Sequence, residues 1–180
     1  MYNDVDLFIK SCEQCQQSSN AKYTKNAHLI PIITNKPLEI ITSDIMGPIK
    51  TSKIGNKYIL CIVDHFTKWV DIHAKPEGEA LTVAKKLMLF IAKHGIPDAI
   101  LTDQGRNYQS KLIAELWDML DVHKLRTTPF HPQCDGLTER FNRTLKRMIT
   151  CFINKQHDNW DELLPMLSLA YNTSVHTTTK

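Results

Sequence analysis

The sequence predicts an α/β fold: a five-stranded mixed sheet, three strands antiparallel and two parallel, flanked by helices on both faces. Three observations carry this. The apolar, β-branched runs Ile40–Met46, Tyr58–Asp64 and Trp69–Ala74 follow one another across short polar turns, and tight connections imply an antiparallel meander. Two further strand signals, Ala99–Thr102 and His123–Thr127, alternate with helical patterns. The order βββαβαβαα, strands first and alternation afterwards, indicates a mixed sheet covered on both sides.

The first strand stops at Gly47-Pro48, Ser52–Asn56 separates it from the second, and Asp64–Lys68 turns the second into the third. Leu81, Ala84, Leu87, Met88 and Ile91 recur at helical spacing within Glu79–His94, closed by Gly95 and Pro97. Ser110 is an N-cap for a helix over Lys111–Leu120 that turns Leu112, Ile113, Leu116, Trp117 and Leu120 inward. From Leu137 onward, at about 100° per residue, Leu137, Phe141, Leu145, Met148 and Phe152 share one side. Glu139, Asn142, Arg143, Lys146, Arg147 and Thr150 share the other. Asp135 is placed to cap that helix, and a last helical region opens at Asp158–Trp160 with Pro165 near its start. Trp69, Trp117 and Trp160 are expected in the core. His65, His73, His94, His123 and His157 lack metal-ligand spacing and are assigned to packing or surface.

Three acids stand out. Asp44 ends an apolar strand just before Gly47-Pro48, and Asp103 ends Ala99–Thr102 just before Gly105. Glu139 lies near the start of the basic helical face, with thirty-five residues between it and Asp103. One strand-end acid is structural about as often as functional, and a mixed-charge helix face is usually only solvated. Two strand-end acids and a helix acid in these contexts point to a shared site. Carboxylates packed together repel, and hard divalent cations, which prefer oxygen ligands, relieve the repulsion.

The segments SDIMGP, YILCIVDHFTKWV, LTDQGRNY and TPFHPQCDGLTERFNRTLK resemble the catalytic core of retroviral-type integrases, and more closely those of gypsy-class LTR retrotransposons. The resemblance spans about Leu38 to Asn172 and implies the ribonuclease-H-like fold. It carries the family's acidic triad onto Asp44, Asp103 and Glu139. It implies two Mg²⁺ or Mn²⁺ ions about 3.5–4 Å apart, Asp44 bridging them, Asp103 on one and Glu139 on the other. The implied reaction is cleavage and strand transfer joining element DNA 3′ ends to target DNA. Arg143, Lys146 and Arg147, with Asn142, Gln133 and His131, are the candidate DNA contacts, and His131 serves equally well as a turn residue. Asp64, which also follows a strand, is read as the anchor of its turn. The sequence departs from the family at Cys134, usually Thr or Ser, at Leu137, commonly polar, and at Tyr108, frequently Phe; none removes a metal ligand.

The remaining features set bounds. At 180 residues the chain holds one ordinary domain and a small appendage. Residues 1–18 read as the C-terminal remnant of a zinc-binding N-terminal domain, 19–36 as a linker, and 37–180 as the core, expected to be truncated at its C-terminus. Cys12 and Cys15 form a C-x-x-C, half of a tetrahedral zinc site. In the resemblance, the other two ligands are histidines upstream of Met1, so zinc is expected only with them. Five cysteines and no signal peptide favour reduced thiols. The apolar runs are too short to span a bilayer. A net charge of +3 permits a DNA partner without demanding one. The resemblance further implies a homo-oligomer, and a nuclear site of action after a cytoplasmic particle stage as part of a pol polyprotein. Two other readings stay open: a ribonuclease H-type nuclease, and a domesticated, catalytically silent nucleic-acid-binding module.

Overall fold

A computed structural model of the chain describes residues 32–77, 79–103, 105, 107–126 and 136–176, together with Val5, Phe8 and Ser11. The chain divides into two compact units, Met1–Ile30 and Pro31–Lys180. In the first, Val5, Phe8 and Ser11 are helical and exposed, and the Ser11 hydroxyl donates to the Phe8 carbonyl at 3.0 Å. Cys12 and Cys15 lie outside the described residues.

The second unit runs β1 (Ile40–Met46), β2 (Tyr58–Asp64), β3 (Val70–Lys75), α1 (Ala80–His94), β4 (Ala99–Thr102), α2 (Lys111–Met119), β5 (His123–Arg126), α3 (Gly136–Phe152) and α4 (Trp160–Asn172). The strands form one five-stranded sheet in the order β3-β2-β1-β4-β5. β1 and β3 pair antiparallel with β2, whereas β4 pairs parallel with both β1 and β5. This is the mixed sheet the sequence predicts.

Side chains alternate between the two faces of each strand. Ile41, Leu60, Ile62 and Ile100 face one side and pack under α1 and α2 against Leu87, Phe90 and Trp117. Ile59, Cys61, Val63 and Ile72 face the other and pack under α3 and α4 against Phe141, Leu145 and Trp160. β2 is buried on both faces, which is why YILCIVD is almost unbroken in apolar residues. Each fully buried aliphatic or aromatic side chain contributes about 1.5–3 kcal/mol before entropy is counted.

Several details differ from the sequence reading. β3 begins at Val70, because Trp69 belongs to the turn: its carbonyl accepts the Asp64 N–H at 2.9 Å. Trp69 is 44% exposed, beside the His94 ring, while Trp117 and Trp160 are buried as expected. Leu81, Met88 and Leu112 point outward. The buried stripe of α1 is Val83, Ala84, Leu87, Phe90 and Ile91, and Met88 and Leu112 line an apolar groove between α1 and α2 with Leu89 and Leu116. On α3 the buried residues are Thr138, Phe141, Leu145 and Ile149. Leu137 and Met148 only flank that stripe, and Phe152, the helix's last residue, is exposed. Pro165 sits inside α4 rather than at its start, where it withholds one helical N–H. The Ser110 cap forms as predicted, its hydroxyl accepting the Ile113 N–H at 3.3 Å.

α4 is fixed to the outer edge of the sheet by side chains that imitate a neighbouring strand. Asn172 Oδ1 accepts the Val70 N–H at 2.8 Å and Asn172 Nδ2 donates to the Val70 carbonyl at 2.8 Å. Ser168 adds a hydroxyl to the same carbonyl at 3.1 Å. An edge strand's free backbone groups are a liability unless covered.

Candidate functional site

The site follows from strand register. In the parallel pair, Ser43 lies opposite Thr102. Asp44, the next residue of β1, and Asp103, the first residue past β4, therefore lie beside each other where the β1–β4 pairing ends, about 5 Å apart along the sheet. Asp44 shares its face of β1 with Met46, the side covered by α3 and α4.

The two carboxylates are held by few donors. Asp44 Oδ1 accepts the Ile45 N–H at 2.8 Å, and Asp44 Oδ2 accepts Asn142 Nδ2 at 2.6 Å. Asp103 is exposed, and its Oδ1 accepts the Gly105 N–H at 2.9 Å. A Cβ on Gly105 would fall 2.9 Å from Asp103 Oδ1, so glycine is what lets this backbone come so close. Asn142 belongs to α3, and Glu139 is exposed one turn before it, in the first turn of the helix. Residues three apart share a helix face, and the positive end of the helix dipole favours a carboxylate there.

The structure thus makes Asp44 and Asp103 neighbours and brings α3 onto Asp44 through Asn142. Among the described residues, no group of three His, Cys, Asp or Glu is placed to hold a metal ion. The Asp44–Asp103 pair still has the donor chemistry of a hard-cation site. A carboxylate offers about four lone-pair positions, and protein donors among the described residues take two at Asp44 and one at Asp103. Mg²⁺ binds through one or two carboxylates and retains waters.

Buried neighbours feel these charges. Cys61, opposite Asp44 in β2, has its thiol pushed well up by burial and then by the Asp44 charge. Burial likewise pushes the Tyr108 phenol well up; its hydrogen bond to Ser43 opposes this, and the charges of Asp44 and Asp103 add to it. Tyr108 Oη and Ser43 Oγ lie 2.7 Å apart. The hydroxyl that distinguishes Tyr108 from phenylalanine is therefore in use.

Arg143, Lys146 and Arg147 are exposed along α3. Asn142, expected among the DNA contacts, is instead spent on Asp44. His131, Gln133 and Asp135 lie outside the described residues. Asp64 anchors its turn as expected, accepting from the backbone N–H groups of Leu38, Phe66 and Thr67 and from the Thr67 hydroxyl. Sequence reasoning passed over Ser43 and Gly105. A glycine two residues after an acid at a strand end was the available signal for the second.

Comparison with known proteins gives a consistent picture. The family described as Integrase core domain matches residues 34–132, a span that contains Asp44 and Asp103 and ends before Glu139. The chain is 27% identical over 172 residues to mouse Gypsy retrotransposon integrase-like protein 1, covering 96% of this chain and 33% of that protein. It is 30% identical over 179 residues to the Pro-Pol polyprotein of simian foamy virus type 3, covering 98% of this chain and 15% of the polyprotein. The chain thus spans a third or less of these curated relatives. Its fold matches, with a TM-score of 0.68 and 21% identity, a chain in the cryoEM structure of the simian T-cell lymphotropic virus intasome in complex with PP2A regulatory subunit B56 gamma, covering 98% of this chain and 63% of that one. The architecture is ribonuclease-H-like.

Proposed function

This chain belongs to the integrase core domain family, and on that premise we propose that it is the catalytic core of a retroelement integrase, a polynucleotidyl transferase that joins element DNA 3′ ends to target DNA. One observation carries the proposal: the Ser43–Thr102 register makes neighbours of Asp44 and Asp103, and α3 is bonded to Asp44 through Asn142.

On this reading Asp44, Asp103 and Glu139 hold Mg²⁺ or Mn²⁺. Two such ions, when bound, stabilise the attacking and leaving oxygens of an in-line phosphoryl displacement. The chain's own groups prepare the carboxylates. The Ile45 N–H and Asn142 amide orient the Asp44 carboxylate, and the Gly105 N–H does the same for Asp103. No side-chain nucleophile is required, because the attacker is water in end trimming and a DNA 3′-hydroxyl in strand transfer. Arg143, Lys146 and Arg147 neutralise phosphates along the exposed side of α3, a contact that tolerates sequence and weakens with salt. Gln133 and His131 are further DNA contacts on this reading. The protein acts as a homo-oligomer on DNA in the nucleus, after a cytoplasmic particle stage.

The test is a Mn²⁺ titration with a branched DNA that mimics the strand-transfer product. Wild-type chain should bind Mn²⁺ and reverse the joining. Asp103→Asn should lose at least about 100-fold in rate, equivalent to about 2.7 kcal/mol of transition-state stabilisation. A wild type that binds no Mn²⁺ and leaves the branched DNA intact would identify an inert binding module. Cleavage confined to RNA–DNA hybrid would identify a ribonuclease H.

A further inference from the structure

Asp44 and Asp103 are joined, behind the site, by a chain of short contacts that crosses from one strand to the next. Asp103 Oδ1 accepts the Gly105 N–H at 2.9 Å, and the Gly105 carbonyl accepts the Tyr108 N–H at 3.0 Å. Tyr108 Oη meets Ser43 Oγ at 2.7 Å, and the next residue in β1 is Asp44. Lys124 of β5 donates its ammonium to the Tyr108 carbonyl, which holds the far side of the turn. Tyr108 is 1% exposed and Ser43 is fully buried. Among the described residues, the buried hydroxyl of Thr102, Ser43's register partner, has no hydrogen-bond partner, so the Tyr108 hydroxyl forms its link to β1 and not to β4.

We propose that Tyr108 and Ser43 act as positioning residues: their hydroxyl pair sets the separation of the Asp44 and Asp103 carboxylates and thereby the affinity for the divalent ion. The inference rests on the metal-site reading given above. An apolar ring at residue 108 would fill the same space, but dispersion contacts are weak and non-directional, whereas a hydrogen bond fixes distance and angle. Mg²⁺ demands near-ideal geometry at about 2.0–2.1 Å, so carboxylate spacing bears directly on affinity.

Binding of Mn²⁺, followed by the electron paramagnetic resonance of the free ion without any DNA, tests this on Tyr108→Phe, Ser43→Ala and the double variant. Tyr108→Phe and Ser43→Ala should each weaken Mn²⁺ about ten-fold, as loss of an outer-shell partner does. The double variant should be no weaker than either single variant, because both remove one interaction. Tyr108→Phe leaves a buried hydroxyl unpaired and should melt earlier, and the double variant should recover because both partners are gone. The separating result is the double variant: melting restored, Mn²⁺ affinity still low. If its affinity returns with its melting temperature, the pair is packing alone and the inference is wrong. If Tyr108→Phe binds Mn²⁺ as the wild type does while Asp44→Asn does not, the inference fails and the metal-site reading survives. If Asp44→Asn also binds normally, the metal-site reading fails and the inference goes with it.

Discussion

The two ends of the sheet treat their polar groups differently. At the end where β2 closes and β1 begins, Asp64 is 3% exposed and accepts from four donors, among them the Thr67 hydroxyl at 2.5 Å. Beside it His65 bonds the Thr42 hydroxyl, and the Lys68 ammonium donates to the His65 carbonyl. At the opposite end, among the described residues, Asp44 has two donors, Asn142 Oδ1 is buried without a partner, and the fully buried Lys75 ammonium at the end of β3 has no hydrogen-bond partner. A carboxylate whose lone pairs are filled by protein holds the fold together. One left half filled is available to something else. Asp64 closes β2, whereas Asp44 lies two residues inside the end of β1, and the number of donors separates them further.

Four substitutions or titrations can break or sharpen this contrast. The largest effect is expected at the open end: Asp44→Asn should cost about 1,000-fold in strand-transfer reversal, about 4 kcal/mol, while thermal melting stays close to wild type. A melting loss comparable to that of an Asp64 variant would erase the distinction. Next, Asp64→Ala strands several buried N–H donors and should cost about 3 kcal/mol of stability in denaturant unfolding, with Mn²⁺ affinity retained by the folded fraction.

Third, acid should open the closed end. Burial, with the Lys68 charge adding and the Asp64 charge opposing, lowers His65 to about 4. The unfolded chain takes that proton near its ordinary value of about 6.5, so it binds more protons than the native state between these values. The stability His65 contributes is complete above about pH 6.5 and is lost as pH falls towards about 4. Melting curves of His65→Gln should be flatter across that window; an unchanged slope would mean the imidazole is not held neutral.

The smallest effect is at Lys75. Burial lowers its ammonium to about 8, so near neutral pH it is a buried, unpartnered charge. Its folded value lies below the unfolded one, so the cost is absent above about pH 10.5, grows as pH falls towards about 8, and is complete at pH 7. Lys75→Met should raise the melting temperature at pH 7 by about 3 °C, and that gain should vanish at high pH. A drop instead would show that the ammonium is doing something for the open end.

The strands and their order were legible because β-branched runs bounded by Gly, Pro and polar turns leave few alternatives, and the parity of each run fixes which residues face which layer. Helix faces were legible only to within a turn. Leu81, Met88 and Leu112 satisfy helical spacing yet face outward, because periodicity marks an apolar side without saying how much of it the sheet covers. Similarly, Asn142 was grouped with Arg143 and Lys146 by helical angle, although it points back to Asp44.

By itself, then, the sequence determined the mixed sheet and the three acids worth watching, since those depend on local pattern and on residue chemistry, while the turn role of Asp64 was what the family resemblance implied. Tertiary structure alone decided that Asn142 serves Asp44 and that Tyr108 reaches Ser43. Each of these depends on register and on the angle at which a helix crosses a sheet. Those quantities are settled when distant segments bury their apolar faces together, and no stretch of sequence contains them.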